Sequence, residues 1–277
     1  MNILVVNDDG IDAIGIHKLA EALLDTGNIY VCAPHRQRSA CGHGITIGRV
    51  VCIENVPFAG VCRAIAMEGT PADCVKIGIE VYRDQGVEMD MVFSGFNHGM
   101  NLGTDTLYSG TVSAALEGAL CGLPSVAVSI SSNESFHRTP VHFDYAARLV
   151  RAIAKTSAFA VGGHTGRLVA DIDFIRKKHT VLNVNIPDLP DTVIRGTKVC
   201  PLSYRTYDEW FRSSEDESGR LGYHYSGAPL ILGEGTPEDS DIIANGQGYA
   251  TITPLKFDLT DYDLLDAART EWEGVTI

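Results

Sequence analysis

The run ILVV at positions 3–6 ends abruptly in Asn7-Asp8-Asp9-Gly10. Two adjacent carboxylates at the end of an apolar stretch repel each other, and burial adds a desolvation cost to both. A bound cation removes both penalties, and hard oxygen ligands favour Mg²⁺, Mn²⁺ or Ca²⁺ over zinc. The competing reading is a pair of solvated turn residues at the start of the next helix, where acidic side chains suit the helix dipole. In a regular strand successive side chains point to opposite faces. Asp8 and Asp9 therefore share one site only if the chain is already turning, which Gly10 makes easy.

Two further stretches carry candidate chemistry. Ser109-Gly110-Thr111 precede an alanine-rich run, 111–121. A helix beginning there presents free N–H groups and a positive dipole end, which suit a phosphate; an ordinary Ser/Thr cap with a glycine turn is the alternative. Gly95, Asn97, Gly99, Asn101 and Gly103 crowd one short loop. Such residues imply tight backbone geometry, and an Asn side-chain oxygen is also a ligand for a hard cation; a turn-rich connection without chemical consequence stays open. Arg36 and Arg38 could neutralise an anion or serve as surface charges. His35, His43 and His98 fall in polar loops without metal-ligand spacing. No GxGxxG follows the first strand, and no P-loop, GxSxG elbow or kinase motif set is present. The DxDx(T/V) pattern of phosphatases that form an aspartyl-phosphate is absent too.

The elements that would position these residues read as an α/β chain. Residues 2–7 form a continuous apolar strand of the kind covered on both faces. Residues 13–26 have helical spacing with Gly27 at the stop, and 28–33 form the next strand, closed by Pro34. This strand–helix–strand opening predicts a doubly wound sheet. Strands are expected at 45–54, 61–67, 89–95, 124–130, 181–187 and 248–255. Helices are expected from Thr70, with Pro71 and Asp73 in the first turn, and at 111–121, 141–160 and 260–272. Beyond about residue 190 aromatic and charged residues mix, predicting extended hairpins. In open α/β sheets ligands bind outside the carboxyl ends of the strands, where all the loops above would lie.

Composition sets the outer limits. The chain has 277 residues, 45% hydrophobic and 21% charged, which suits one large domain or a domain with an appendage. A net charge of −13 and the lack of a Lys/Arg cluster count against nucleic-acid polymers and anionic membranes. The seven cysteines, with no CxxC pair, read as reduced, buried small hydrophobes in a cytosolic protein. Neither a signal peptide nor an apolar run long enough to span a bilayer is expected.

Taken together and in order, the motifs resemble the SurE family (survival protein E). The segments are ILVVNDDG at 3–10, AP followed by Ser39, EGTPADCV at 68–75, SGFNHGMNLGTD at 94–105, YSGTVSAALEG at 108–118, LNVNIP at 182–187, and GYATITPL at 248–255 with the following DLT. The resemblance implies a cytoplasmic, divalent-metal-dependent phosphatase acting on nucleoside 5′- and 3′-monophosphates. It implies a Rossmann-like three-layer sandwich with a mostly parallel sheet, a catalytic core over 1–199, and a C-terminal segment, 200–277, holding a β-hairpin that exchanges between subunits of a homodimer or homotetramer. Asp8, Asp9, Ser39 and Asn97 stand at the family's metal-ligand positions. Ser109, Gly110 and Thr111 match its phosphate loop, and Asn101 and Asp105 fall on the glycine–asparagine motif. Asp241 keeps an acidic position, but Ile243 stands where many relatives have His, and 200–240 matches only loosely.

The resulting expectation is hydrolysis by water on one Mg²⁺ or Mn²⁺ per subunit, with Asp8, Asp9 and Asn97 as the catalytic centre and Asn101 and Ser109–Thr111 on the substrate phosphate. A metal- and nucleotide-responsive binding protein with negligible turnover is the alternative.

Overall fold

The computed structural model describes residues 1–131, 142–160 and 180–273. Its centre is a mostly parallel sheet of nine strands. In chain order these are β1 (Asn2–Val6), β2 (Asn28–Pro34), β3 (Ile53–Asn55), β4 (Arg63–Met67), β5 (Met91–His98), β6 (Ser125–Ser131), β7 (Thr180–Pro187), β8 (Thr197–Val199) and β11 (Ala250–Lys256). Their spatial order is β3-β4-β2-β1-β5-β6-β7-β11-β8. β1, β2, β4, β5, β6 and β7 run parallel, whereas β3 pairs antiparallel with β4 and β11 antiparallel with β7. β9 (Arg205–Glu215) and β10 (Leu221–Leu232) make a separate antiparallel hairpin.

The alternation of β1 explains the three layers. Ile3 and Val5 join a core with Ile16 and Leu19 of α1 (Ile14–Leu23) and Val150 of α4 (Asp144–Ala160). Leu4 and Val6 join the opposite core with Cys74 and Tyr82 of α2 (Pro71–Asp84) and Ala114 of α3 (Gly110–Leu120). All four β1 side chains are fully buried; each contributes about 1.5–3 kcal/mol relative to exposure. The apolar run is continuous because the strand has no wet face.

The helix starts follow from their first residues. Thr70 accepts from the Asp73 N–H while the Asp73 carboxylate accepts from the Thr70 N–H, a reciprocal cap with Pro71 in the first turn. Ser109 caps α3 by accepting from the Val112 N–H at 3.0 Å. Two further helices close the chain, α5 (Asp241–Gly246), which the sequence pattern did not suggest, and α6 (Tyr262–Trp272).

The strand expected over 45–54 shrinks to Ile53–Asn55. The preceding backbone is held by side chains instead of a ladder. Thr46 donates to Asp73 through its N–H at 2.9 Å and its hydroxyl at 2.6 Å, and Arg49 reaches the Glu68 carbonyl. All seven cysteines are free, but only Cys32, Cys74 and Cys200 are buried; Cys52, Cys62 and Cys121 are exposed. Cys52 directly precedes the short edge strand β3 and Cys62 directly precedes β4 beside it. Among the described residues no helix is long and apolar enough to cross a membrane.

Candidate active site at the carboxyl edge of the sheet

The parity of β1 continues into the turn beyond it. Even-numbered Asp8 faces the α2–α3 side, where Thr111 Oγ1 donates to its Oδ1 at 2.5 Å. Odd-numbered Asp9 takes its hydrogen bonds from another direction: the His98 N–H donates to Oδ2 at 2.9 Å and Gln37 Nε2 to Oδ1 at 3.2 Å. Asn7 builds the turn itself, its amide bridging the Gly10 carbonyl at 2.8 Å and the Gly10 N–H at 3.3 Å. Gly10 has φ +104°, a backbone that side chains with a Cβ rarely adopt. The two carboxylates are neighbours in sequence and inequivalent in space.

Asp8 is only 4% exposed. Burial first, and then the negative Asp9, push its carboxyl up to about 7, against hydrogen bonds from Thr111 that favour the charged form. Asp9 is also pushed up, chiefly by burial, with the His98 N–H opposing. Among the described residues no lysine or arginine forms an ion pair with Asp8. The start of α3, a positive dipole end, lies against Asp8. A Cβ on Gly110 would lie 2.8 Å from Asp8 Oδ2, so only glycine lets the helix end approach this closely. The Gly110 and Thr111 N–H groups belong to the first turn, where no intrahelical acceptor exists; the Thr111 N–H is given to Asp8.

Asn97 reaches the same edge through an irregularity in β5. The β5–β6 register shifts between Ser94 and Asn97, and such a bulge re-aims the side chains beyond it. Gly95, at φ +133°, sits in that bulge, where a Cβ would meet the Val128 carbonyl oxygen at 2.2 Å. The Asn97 amide donates to the Gly99 carbonyl at 2.8 Å; among the described residues nothing donates to its oxygen. Ser39 is exposed and forms no hydrogen bond with a described residue. Its loop is tied to the site one residue earlier, where the Arg38 N–H donates to the Asp8 carbonyl at 2.6 Å.

Asn101 and Asp105 lie further along the same loop and are committed to other partners. Asn101 Nδ2 donates to Ser129 Oγ, and its backbone is clasped by Asn183 and Asn185 of β7. Asp105 accepts from Tyr207 and pairs with Arg205 at the root of the hairpin. Sequence reasoning passed over the Asn183/Asn185 clasp; two buried amides at i and i+2 in an apolar strand were the available signal. It also passed over Glu117, a buried carboxylate in an alanine-rich helix. Glu117 meets His43 Nε2 at 2.8 Å and Lys76 Nζ at 2.7 Å, so it ties α3 to the loop that carries Ser39. Asp241 is fully buried and accepts from the N–H groups of Gly103, Ser203 and Ile242 and from the Ser203 hydroxyl. It is a strut for the glycine–asparagine loop.

The donor set fits a hard cation. Among the described residues no three His, Cys, Asp or Glu side chains gather around one point. A metal here would therefore rest on Asp8 and Asp9 and be completed by neutral oxygens such as those of Asn97 and Ser39. Two carboxylates pushed toward protonation, Asp8 with no ion-pair partner among the described residues, are what such an ion would relieve.

A mostly parallel α/β sheet with its polar loops gathered beyond the strand ends defines the class, a Rossmann-like protein with a strand-end site. The profile described as "Survival protein SurE" matches residues 3–209, and the chain belongs to the SurE family. Proteins named 5′-nucleotidase SurE resemble it over nearly their whole length. That of Syntrophomonas wolfei is 39% identical over 97% of this chain and 94% of its own; that of Pelotomaculum thermopropionicum is 41% identical over 97% and 94%. The crystal structure of the SurE protein from Aquifex aeolicus superposes with a TM-score of 0.75 at 33% identity, covering 98% of this chain and 99% of that one.

Proposed function

We propose that this chain is a 5′-nucleotidase that hydrolyses nucleoside 5′-monophosphates, and 3′-monophosphates as well, to nucleoside and phosphate with one divalent cation per subunit, Mg²⁺ or Mn²⁺. The observation that carries the reading is the buried Asp8 carboxylate with Asp9 beside it and no ion-pair partner among the described residues, set against the N-terminus of α3. The names of the relatives supply the substrate class. Asp8, Asp9, Ser39 and Asn97 would hold the ion. When bound, it supplies a water of lowered pKa and offsets charge developing on the phosphate.

The chain's own residues then have separate tasks. Thr111 orients Asp8 through its hydroxyl and favours its charged form against burial. Gln37 and the His98 N–H orient Asp9 and oppose its upward shift in the same way. The Gly110 N–H at the start of α3, with the dipole behind it, offers a donor for a phosphate oxygen, already in place before the substrate arrives. Asn101 fixes the path of the loop between them through Ser129, Asn183 and Asn185.

We also propose a homodimer or homotetramer in the cytoplasm, with residues 1–199 as catalytic core and 200–277 as extension and return segment. The exposed aromatic side chains of Phe211, Tyr223 and Tyr225 on the hairpin support this. Phosphate release from a panel of nucleoside monophosphates, with Mn²⁺ and with EDTA, tests the activity. Metal-dependent turnover is expected; nucleotide binding without phosphate release would favour a ligand-responsive binding protein instead.

A further inference from the structure

A cleft of about 210 Å³ opens beside the carboxylate pair, and Asp9 is part of its wall. Its apolar sides come from Ile14 at the start of α1 and from Phe143, with Phe96 behind. Phe143 lies against Phe96 with ring centroids 6.0 Å apart. Ile14 is 45% exposed, although it opens a helix whose other apolar residues turn inward. Polar groups converge on the same space. Gln37 and His98 line it, and the buried Nε2 of His98 has no hydrogen-bond partner among the described residues. α1 starts at Ala13 with no side-chain cap, so its first N–H groups add donors at the rim.

We propose that this cleft takes the nucleoside part of the substrate, with the base between Ile14 and Phe143 and its polar edge toward His98 and Gln37. The inference rests on the phosphatase reading and extends it, since that reading places only the phosphate. Three observations select this space. A larger cleft of about 340 Å³, bounded by His35, Arg49 and Glu68, shares no residue with the carboxylate pair. The volume beside Asp9 is below the range of pockets that enclose whole drug-sized ligands, which suits a nucleoside whose phosphate lies outside, toward Thr111. Its chemistry is apolar walls with a few convergent polar groups, and an acidic side chain in the lining disfavours an anion there. Stacking on an aromatic ring tolerates any base, so the cleft would favour nucleotides over small phosphate esters without selecting strongly among bases.

Two variants and two readouts test it. Phe143→Ala removes one wall; Ile14→Ser removes the other at an exposed position where folding is not at stake. With Mn²⁺, kcat/KM for AMP should fall roughly tenfold in each, mainly through KM, while kcat/KM for glycerol 2-phosphate stays within twofold. Calorimetry with adenosine should show weakened binding in both variants. An unchanged KM for AMP in Ile14→Ser, or equal losses on AMP and glycerol 2-phosphate, would overturn the subsite. A wild-type protein that binds adenosine in a Phe143- and Ile14-dependent way, yet releases no phosphate from AMP, would sink the phosphatase reading and leave the cleft assignment standing.

Discussion

Replacing Asp8 by Asn should stabilise the metal-free protein at alkaline pH and do nothing of the kind in acid. Burial and Asp9 raise the Asp8 carboxyl from 3.8 to about 7. Between those values the folded chain holds a proton that the unfolded chain has released. Stability therefore falls as pH rises through that window, and the full penalty is present above about 7. At pH 8 it amounts to about 4 kcal/mol. Asn keeps an oxygen for the Thr111 hydroxyl but buries an amide N–H pair, which takes back about 1–2 kcal/mol. The net gain is about 2 kcal/mol, or roughly 4 °C in Tm for a chain of this size. Well below pH 3.8 the wild-type carboxyl is neutral in both states, the gain vanishes and only the amide cost remains.

The assay is a thermal melt in EDTA at intervals from pH 4.5 to 8.5, wild type against Asp8→Asn. The difference in Tm should climb with pH, most steeply between about 5 and 7. Mn²⁺ at a hundred times its Kd should then raise the wild-type protein by about 2.7 kcal/mol at pH 8 and leave the variant where it was. A difference that is flat across the pH range would refute the argument that an uncompensated buried carboxylate sits at the end of β1. A variant that responds to Mn²⁺ like the wild type would refute Asp8 as a ligand.

Thr111→Val removes the hydroxyl that favours the charged Asp8, so the pH at which Mn²⁺ gives half its thermal stabilisation should move upward by about one unit, read from the same melts. Glu117→Gln weakens the tie between α3 and the loop bearing Ser39. The Mn²⁺ concentration for half-maximal phosphate release should rise roughly three- to tenfold, with kcat recovered at saturating metal, and a fall in kcat alone would count against the tie. Asp241→Ala leaves four donors without their acceptor and should cost about 3 kcal/mol in urea unfolding.

The layers of this fold were legible because hydrophobicity was written at the right period. ILVV in β1 announced a strand covered twice, and Thr70-Pro71 announced a helix start. The candidate site was legible for a different reason: Asp8, Asp9 and Ser109–Thr111 are polar residues at positions where an apolar pattern stops. What the pattern could not carry was direction. Alternation along β1 assigns Asp8 to the α3 side and Asp9 to the α1 side. That parity was available in the sequence, but which helix covers which face follows only from the order in which the strands pair. Asn97 was harder still, since its aim depends on a bulge at Gly95, where the Val128 carbonyl leaves no room for a Cβ. The same gap hid the supports. Asn185, Glu117 and Asp241 act across 84, 74 and 138 residues of chain, and no local period connects such partners. Each is a buried polar group in an otherwise apolar or short element. An isolated buried polar residue costs stability unless it is paired, so its presence in an apolar run is itself the signal that a distant loop must be held there.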